Sequence, residues 1–167
     1  MKTFKGRTAV VTGAGSGFEL LGTGALISGA GAAALPTTRI AGSYTAGNCT
    51  VNGDLTQTAG TLSLAGATLR VLGTTGVVGT LTCANGFTNS ATIELTSSAA
   101  AGATLAVTTG TLTNAPSGVI QSLTGSTGAR NLNAKLDNQG LITVAQALTT
   151  NKASVAHTNS GTIDLTT

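Results

Sequence analysis

The sequence predicts an all-β protein, a parallel right-handed β-solenoid of roughly five or six coils. Three observations predict this fold class: a composition rich in threonine and glycine, a recurring motif that ends in an alternating strand, and Asn or Gln at a fixed place in that motif. The repeats occupy residues 44–167. Residues 1–43 do not share the motif, and we expect a short, irregular N-terminal segment there rather than an independent domain.

The composition favours strands and turns. Charged residues make up 8% of the chain, whereas the 24 glycines and 33 threonines are well above ordinary usage. Thr and Val are stiff at χ1 and suit a pleated surface, while soluble helices need charged residues, Ala and Leu at a period of 3.6 residues. Hydrophobic residues still amount to 41%, so the chain can bury a core of thin aliphatic layers.

The repeat is clearest in its last copy, HTNSGTIDL, at 157–165. Its pattern is an apolar residue or His, then Thr or Asp, an amide residue, a turn of small residues and a strand in which apolar and polar residues alternate. Such alternation is typical of a half-buried strand. Earlier copies lie at 55–64, 87–95, 112–120 and 136–144.

The aligned apolar residues predict coils whose length becomes nearly constant toward the C terminus, because their spacings are 31, 27, 22 and 21 residues. These residues are Leu62, Ile93, Ile120, Ile142 and Ile163. A second partial repeat, GATLRV at 66–71 and GATLAV at 102–107, predicts another strand of the coil.

The recurring amide residues predict a ladder. Coils stacked in parallel, about 4.8 Å apart, bury their apolar faces against each other. Amide side chains at the same turn can then bond from coil to coil and satisfy backbone groups of the turn. We interpret these residues as structural and not catalytic: Gln57, Asn89, Asn114, Asn138 and Asn159.

The repeat phrases TNSGTIDL (158–165) and TVNGDLTQTAGTLSL (50–64) resemble the passenger repeats of autotransporters and of filamentous-haemagglutinin-type adhesins. This resemblance implies an extended parallel β-helix exported by a Gram-negative cell, and therefore an extracellular or cell-surface location. It also implies a structural or adhesive role. The expected partners are a surface glycan, a protein, or another copy through the solenoid ends.

The start of the chain carries a different signal, since FKGRTAVVTGAGSGFE (4–19) resembles the first strand and glycine-rich turn of short-chain dehydrogenases. In that family the glycines let the backbone approach the pyrophosphate of a dinucleotide. Under this alternative, Gly13, Gly15 and Gly17 would bind NAD(P).

The dehydrogenase motif is incomplete. Glu19 stands where the last motif glycine belongs, and no acidic residue follows at the distance needed to hold the ribose. The family's Tyr-x-x-x-Lys is also missing, because Tyr44 is followed four residues later by Asn48. The alternative is therefore a dehydrogenase remnant, or a chimeric reading frame joined near Glu19, without a complete active site.

The stretch LLGTGALISGAGAAALP (20–36) has the apolarity of a signal-peptide core with an A-x-A site at 32–34, but its glycines and its long leader weaken that interpretation. The same glycines make it a poor membrane span, and we expect none.

No catalytic constellation is evident, and we do not expect an enzyme, a cofactor or a metal site. The one histidine, His157, takes the apolar position of the last repeat, and the five carboxylates are scattered. Glu94 and Asp164 share an outward repeat position, but other coils separate them. The net charge of +3 arises from the first seven residues, since five basic and five acidic residues follow, so no nucleic-acid partner is expected.

Two further features leave alternatives open. The T-x-T triplets at 56–58, 80–82 and 111–113 suggest an ice-binding face, although they fall at different strand positions.

Cys49 and Cys83 fit neither a zinc site nor a redox pair. Two small buried hydrophobic residues are favoured over a disulfide.

Overall fold

The computed structural model describes residues 18–21, 25–27, 32–41, 44–46, 49–64 and 66–166, with side chains from residue 49 onward. The described residues form strands and turns without a helix. The strands are β1 (Phe18–Leu21), β2 (Ala25–Ile27), β3 (Ala32–Ala41), β4 (Tyr44–Ala46), β5 (Cys49–Ala59), β6 (Leu62–Leu64), β7 (Thr68–Gly73), β8 (Gly79–Asn89), β9 (Thr92–Ser97), β10 (Ala103–Asn114), β11 (Val119–Ser122), β12 (Arg130–Asn138), β13 (Leu141–Val144), β14 (Leu148–Thr150), β15 (Thr158–Asn159) and β16 (Thr162–Leu165).

The strands stack into a parallel β-solenoid, which confirms the predicted fold class. The long strands β5, β8, β10 and β12 lie side by side in chain order, and β14 and β15 together form the next level. The shorter strands β7, β9, β11, β13 and β16 form a second stack. Every one of these pairings is parallel, so the chain returns to the same side of the molecule after each coil.

Equivalent residues of successive coils form the core. In the long strands, Leu55, Leu81, Leu105 and Leu132 are register partners in turn, and each is at most 2% exposed. In the short strands, the column is Leu69, Ile93, Ile120, Ile142 and Ile163. Apolar side chains within the stack are thus covered by the same kind of side chain one coil above and below, which is how a solenoid removes apolar surface from water. Ile163, on the last coil, is 51% exposed.

The register corrects two expectations. Ile93 lies beside Leu69 and not beside Leu62, which belongs to a separate small sheet of β2, β4 and β6. The two GATL segments are both strands but are not equivalent, because Leu69 belongs to the short-strand stack and Leu105 to the long-strand stack. With Leu69 in the column, the first spacing falls from 31 to 24 residues, close to the later ones.

Parallel pairing also begins earlier than the predicted boundary at residue 44. The backbone of β3 pairs with β5 from Ala32 to Ala41, and β1 pairs with β3. The backbone of residues 32–41 therefore pairs with the first long strand of the repeats.

Glycine recurs at one turn for a steric reason. A Cβ atom on Gly140 would lie 2.2 Å from the carbonyl oxygen of Ala115 and 3.0 Å from Nδ2 of Asn114. A Cβ on Gly118 would similarly lie 2.3 Å from the carbonyl oxygen of Asn89. These distances are shorter than real carbon contacts allow, so the motif keeps glycine where the preceding coil's backbone passes.

Both cysteines are free thiols. Cys83 is fully buried between Gln57 and Val107 in the long-strand stack, whereas Cys49 is half-buried. Burial raises the pKa of the Cys83 thiol to about 12, and it also raises the pKa of Cys49. The structure therefore has two free thiols rather than a disulfide, and the predicted burial holds for Cys83 but only partly for Cys49.

We expect iodoacetamide to alkylate Cys49 at a measurable rate in the folded protein and Cys83 only after unfolding. The reason is that the thiolate is the nucleophile, and a thiol with a pKa of about 12 is almost entirely protonated near pH 8. Peptide mass spectrometry of a labelling time course, with a urea-unfolded sample as control, measures both rates. Equal labelling of the two thiols in the folded state would contradict this packing.

Candidate functional site

The predicted ladder is present for the asparagines. Nδ2 of Asn89 donates to Oδ1 of Asn114 at 2.8 Å, Asn114 donates to Asn138 at 2.7 Å, and Asn138 donates to Asn159 at 2.6 Å. The first three side chains are fully buried, and Asn159 is exposed on the last coil. The amide column therefore runs through four successive coils inside the solenoid.

Each ladder amide except that of Asn159 also bonds to the turn of the next coil. Nδ2 donates its second hydrogen bond to a carbonyl oxygen of the next coil. The acceptor is Val119 for Asn89, Leu141 for Asn114 and Thr162 for Asn138. The Oδ1 atom of Asn89 in addition accepts the backbone N–H of Ala91 at 3.1 Å. An amide is needed because only Asn or Gln combines an acceptor with two donors in one short side chain.

Gln57 stands outside this column, which corrects the predicted ladder. It is buried, but its register partner is Cys83, which is six residues before Asn89. The coil that contains β5 is therefore offset with respect to the later ones.

Arg130 is a buried residue that the repeat motif does not single out. Its guanidinium is fully enclosed and donates to the carbonyl oxygens of Leu123 and Ser126, each at 3.2 Å, and to that of Gly128. Burial lowers the pKa of the guanidinium. Arg130 thus stabilises the loop before β12 through its contacts with Leu123, Ser126 and Gly128. Its inward orientation could be recognised from the sequence, because side chains of a strand alternate and Arg130 is two residues before the inward Leu132 and four before Ala134.

The outward side of the long strands carries hydroxyl and amide groups, and we call it the threonine face. Thr80, Thr104, Asn131 and Thr149 are register partners on four successive coils. Beside them, Thr82 is in register with Thr56 and Ala106. We define the threonine face as Thr80, Thr82, Thr104, Asn131, Asn133 and Thr149.

The outward side of the short strands carries an ion pair. Nε of Arg70 donates to Oε2 of Glu94 at 2.6 Å, and the column continues through Gln121 and Thr143 to Asp164. Glu94 and Asp164 therefore share the outward position, as predicted, with two coils between them. At about 4.8 Å per coil they are about 14 Å apart, too far for paired acid–base catalysis of glycoside hydrolysis.

Hydrogen bonds of polar side chains stabilise the last coil. Nδ1 of His157 accepts the backbone N–H of Leu136 at 3.2 Å, at the repeat position predicted for it. Thr158 and Gln139 donate to the two carboxylate oxygens of Asp137, which lowers the pKa of that carboxyl group. Lys152 donates to the carbonyl oxygens of Val107 and Thr108, each at 2.9 Å. These groups hold the C-terminal loop in place.

A cleft opens beside an irregular point of the long strands. Its cavity volume is about 350 Å³, and residues 85–88 of β8 and residues 109–111 of β10 line it together with Thr113. We call it the bulge cleft because the pairing of β8 with β10 shifts register there. The lining contains no charged side chain.

The T-x-T triplets do not form one continuous array. Thr82 lies beside Thr56, but the neighbour of Thr80 on β5 is Asp54, and that of Thr82 on β10 is Ala106. Thr111 and Thr113 lie beyond the bulge, next to Gly86 and Thr88. A flat lattice of threonines, which ice binding would need, is therefore interrupted.

Three further expectations concern a dinucleotide-binding site, a metal site and a membrane span. Gly13, Gly15 and Gly17, the dinucleotide-binding alternative, lie outside the described residues. Among the described residues, no three His, Cys, Asp or Glu side chains lie close enough together to hold a metal ion. None of the described segments is a helix long and apolar enough to cross a membrane.

Comparisons with protein families, curated proteins and solved structures give no match for this chain.

Proposed function

We propose that this chain is a non-enzymatic structural or adhesive repeat protein of the cell surface, which binds a glycan through its threonine face. The observation that carries the proposal is the column of Thr80, Thr104, Asn131 and Thr149 across four coils. Hydroxyl and amide groups can both donate and accept hydrogen bonds, as sugar hydroxyl groups do. The repeat resemblance to exported adhesins supports the same role and the extracellular location.

The arrangement suits a weak, repeated type of contact. Each hydroxyl group contributes little, but the strands hold these groups in fixed positions about 4.8 Å apart along the solenoid. Contacts from several coils to one extended partner then add up without further ordering of the protein. The six side chains that define the threonine face are uncharged, and Asp54 borders them beside Thr80, which favours a polysaccharide over nucleic acid or an anionic surface.

Replacing Thr80 and Thr104 by Val should weaken retention on a glycan array by about tenfold, because each change removes a hydroxyl group without changing the side-chain shape. The matched control is Thr143→Val on the short-strand side, which should leave retention unchanged. Binding that survives in the Thr80→Val/Thr104→Val variant and is lost in the control would place adhesion on the charged side instead.

The ice-binding alternative shares the same residues, and Thr56 beside Thr82 is the observation in its favour. It predicts thermal hysteresis and shaped ice crystals in a solution of the chain. The adhesive proposal predicts neither, because Asp54 and Ala106 interrupt the flat array.

A further inference from the structure

The bulge cleft exists because neighbouring coils have different lengths at the same point. Between Asn85 and Phe87 of β8 there is one residue, whereas two residues separate their partners Thr109 and Leu112 in β10. The difference is larger toward β12, in which Ala134 alone occupies the place of residues 107–110. The chain of β10 therefore protrudes beyond both neighbours, and a shallow, open depression lies beside it.

One wall of the cleft is fixed by hydrogen bonds that cross the coils. Nδ2 of Asn85 donates to the carbonyl oxygen of Gly60 at 2.8 Å. The Thr109 hydroxyl group donates to the carbonyl oxygen of Ala84 at 2.7 Å and lies 3.2 Å from Oδ1 of Asn85. These contacts hold the Asn85 amide in one orientation, so a ligand would meet it without a further entropy cost.

The other wall carries available hydroxyl groups. Thr88 and Thr113 are register partners on adjacent coils, and Thr111 lies two residues before Thr113 on the same outward side. Within residues 49–64 and 66–166, these three hydroxyl groups have no hydrogen-bond partner. The cleft thus presents free donors and acceptors next to a rigid amide.

From this geometry we propose that the bulge cleft is a binding subsite for one neutral saccharide unit. The inference rests on the proposed function for the class of partner, and adds a shallow site separate from the threonine face. A volume of about 350 Å³ lies at the lower end of the range for small-molecule sites, which suits a single sugar ring. A neutral sugar fits because the lining offers hydroxyl groups, an amide and backbone, and no charged side chain.

The test uses the full ¹⁵N-labelled chain and a panel of methyl pyranosides of glucose, galactose, mannose and N-acetylglucosamine, with a methyl glucuronide as the charged comparison. We expect millimolar glycoside to shift the amide signals of residues 85–88 and 109–113. The variant Thr111→Val/Thr113→Val should raise the Kd of the best neutral glycoside about tenfold. The control Thr143→Val removes a threonine hydroxyl group on the short strands and should leave this Kd unaltered. Thr80→Val/Thr104→Val is measured in parallel as the test of the threonine face.

The outcomes separate the two proposals. Shifts confined to the threonine face, or loss of binding only in the Thr80→Val/Thr104→Val variant, would overturn the cleft and leave the adhesive face standing. Shifts in the cleft with array retention insensitive to Thr80 and Thr104 would support the cleft and overturn the face. No shift with any pyranoside, or a preference for the glucuronide, would overturn the neutral-sugar subsite. Thr88→Val provides a second cleft variant if the first fails to fold.

Discussion

Replacing Arg130 by Ala is expected to lower the free energy of unfolding by about 3 to 4 kcal/mol. Arg130 is among the largest fully buried side chains, and its removal leaves a cavity between Ala103 and Leu148, its partners in the stack. The same change removes the donors that face the carbonyl oxygens of Leu123 and Ser126. Urea unfolding with an unchanged m-value would measure the loss.

Arg130→Met is the matched control for the cavity. Methionine fills most of the space and removes the desolvation cost of a buried cation, so we expect a smaller loss of about 1 kcal/mol. The difference between the two variants then reports the packing contribution of the side chain. A loss below about 1 kcal/mol in Arg130→Ala would mean that the loop before β12 does not depend on this residue.

Asn138→Leu should lower the free energy of unfolding by about 1 to 3 kcal/mol. Asn138 accepts from Asn114 and donates to Asn159 and to the carbonyl oxygen of Thr162, so leucine leaves polar groups unpaired in the coils on both sides. Thr143→Ala is the control, because its side chain points outward and its replacement should cost no more than about 0.5 kcal/mol.

The damage in Asn138→Leu should be local. Coils of a solenoid contact only their neighbours, so the strands β13 to β16 should exchange their amide hydrogens faster while β5 to β8 keep their protection. Hydrogen exchange followed by mass spectrometry resolves these regions. Uniform protection along the variant chain would show that the ladder does not join the coils energetically.

The sequence by itself determined the fold class and the asparagine ladder. Alternation of apolar and polar residues in each short strand is a local pattern, and it already separated inward Ile93, Ile120 and Ile142 from outward Glu94 and Thr143. Asn114, Asn138 and Asn159 follow one another at nearly equal spacing, so each falls at the same point of its coil. A property repeated once per coil can be recognised without knowledge of the pairing.

Only the tertiary structure decided the features that depend on register between coils of unequal length. Gln57 carries the repeat motif, yet its partner is Cys83, and Leu69 replaces Leu62 in the short-strand column. The bulge cleft likewise results from the different numbers of residues that β8, β10 and β12 place at one point. The extra residues of β10 form a bulge, so the sequence shows these residues but not the neighbour against which they project.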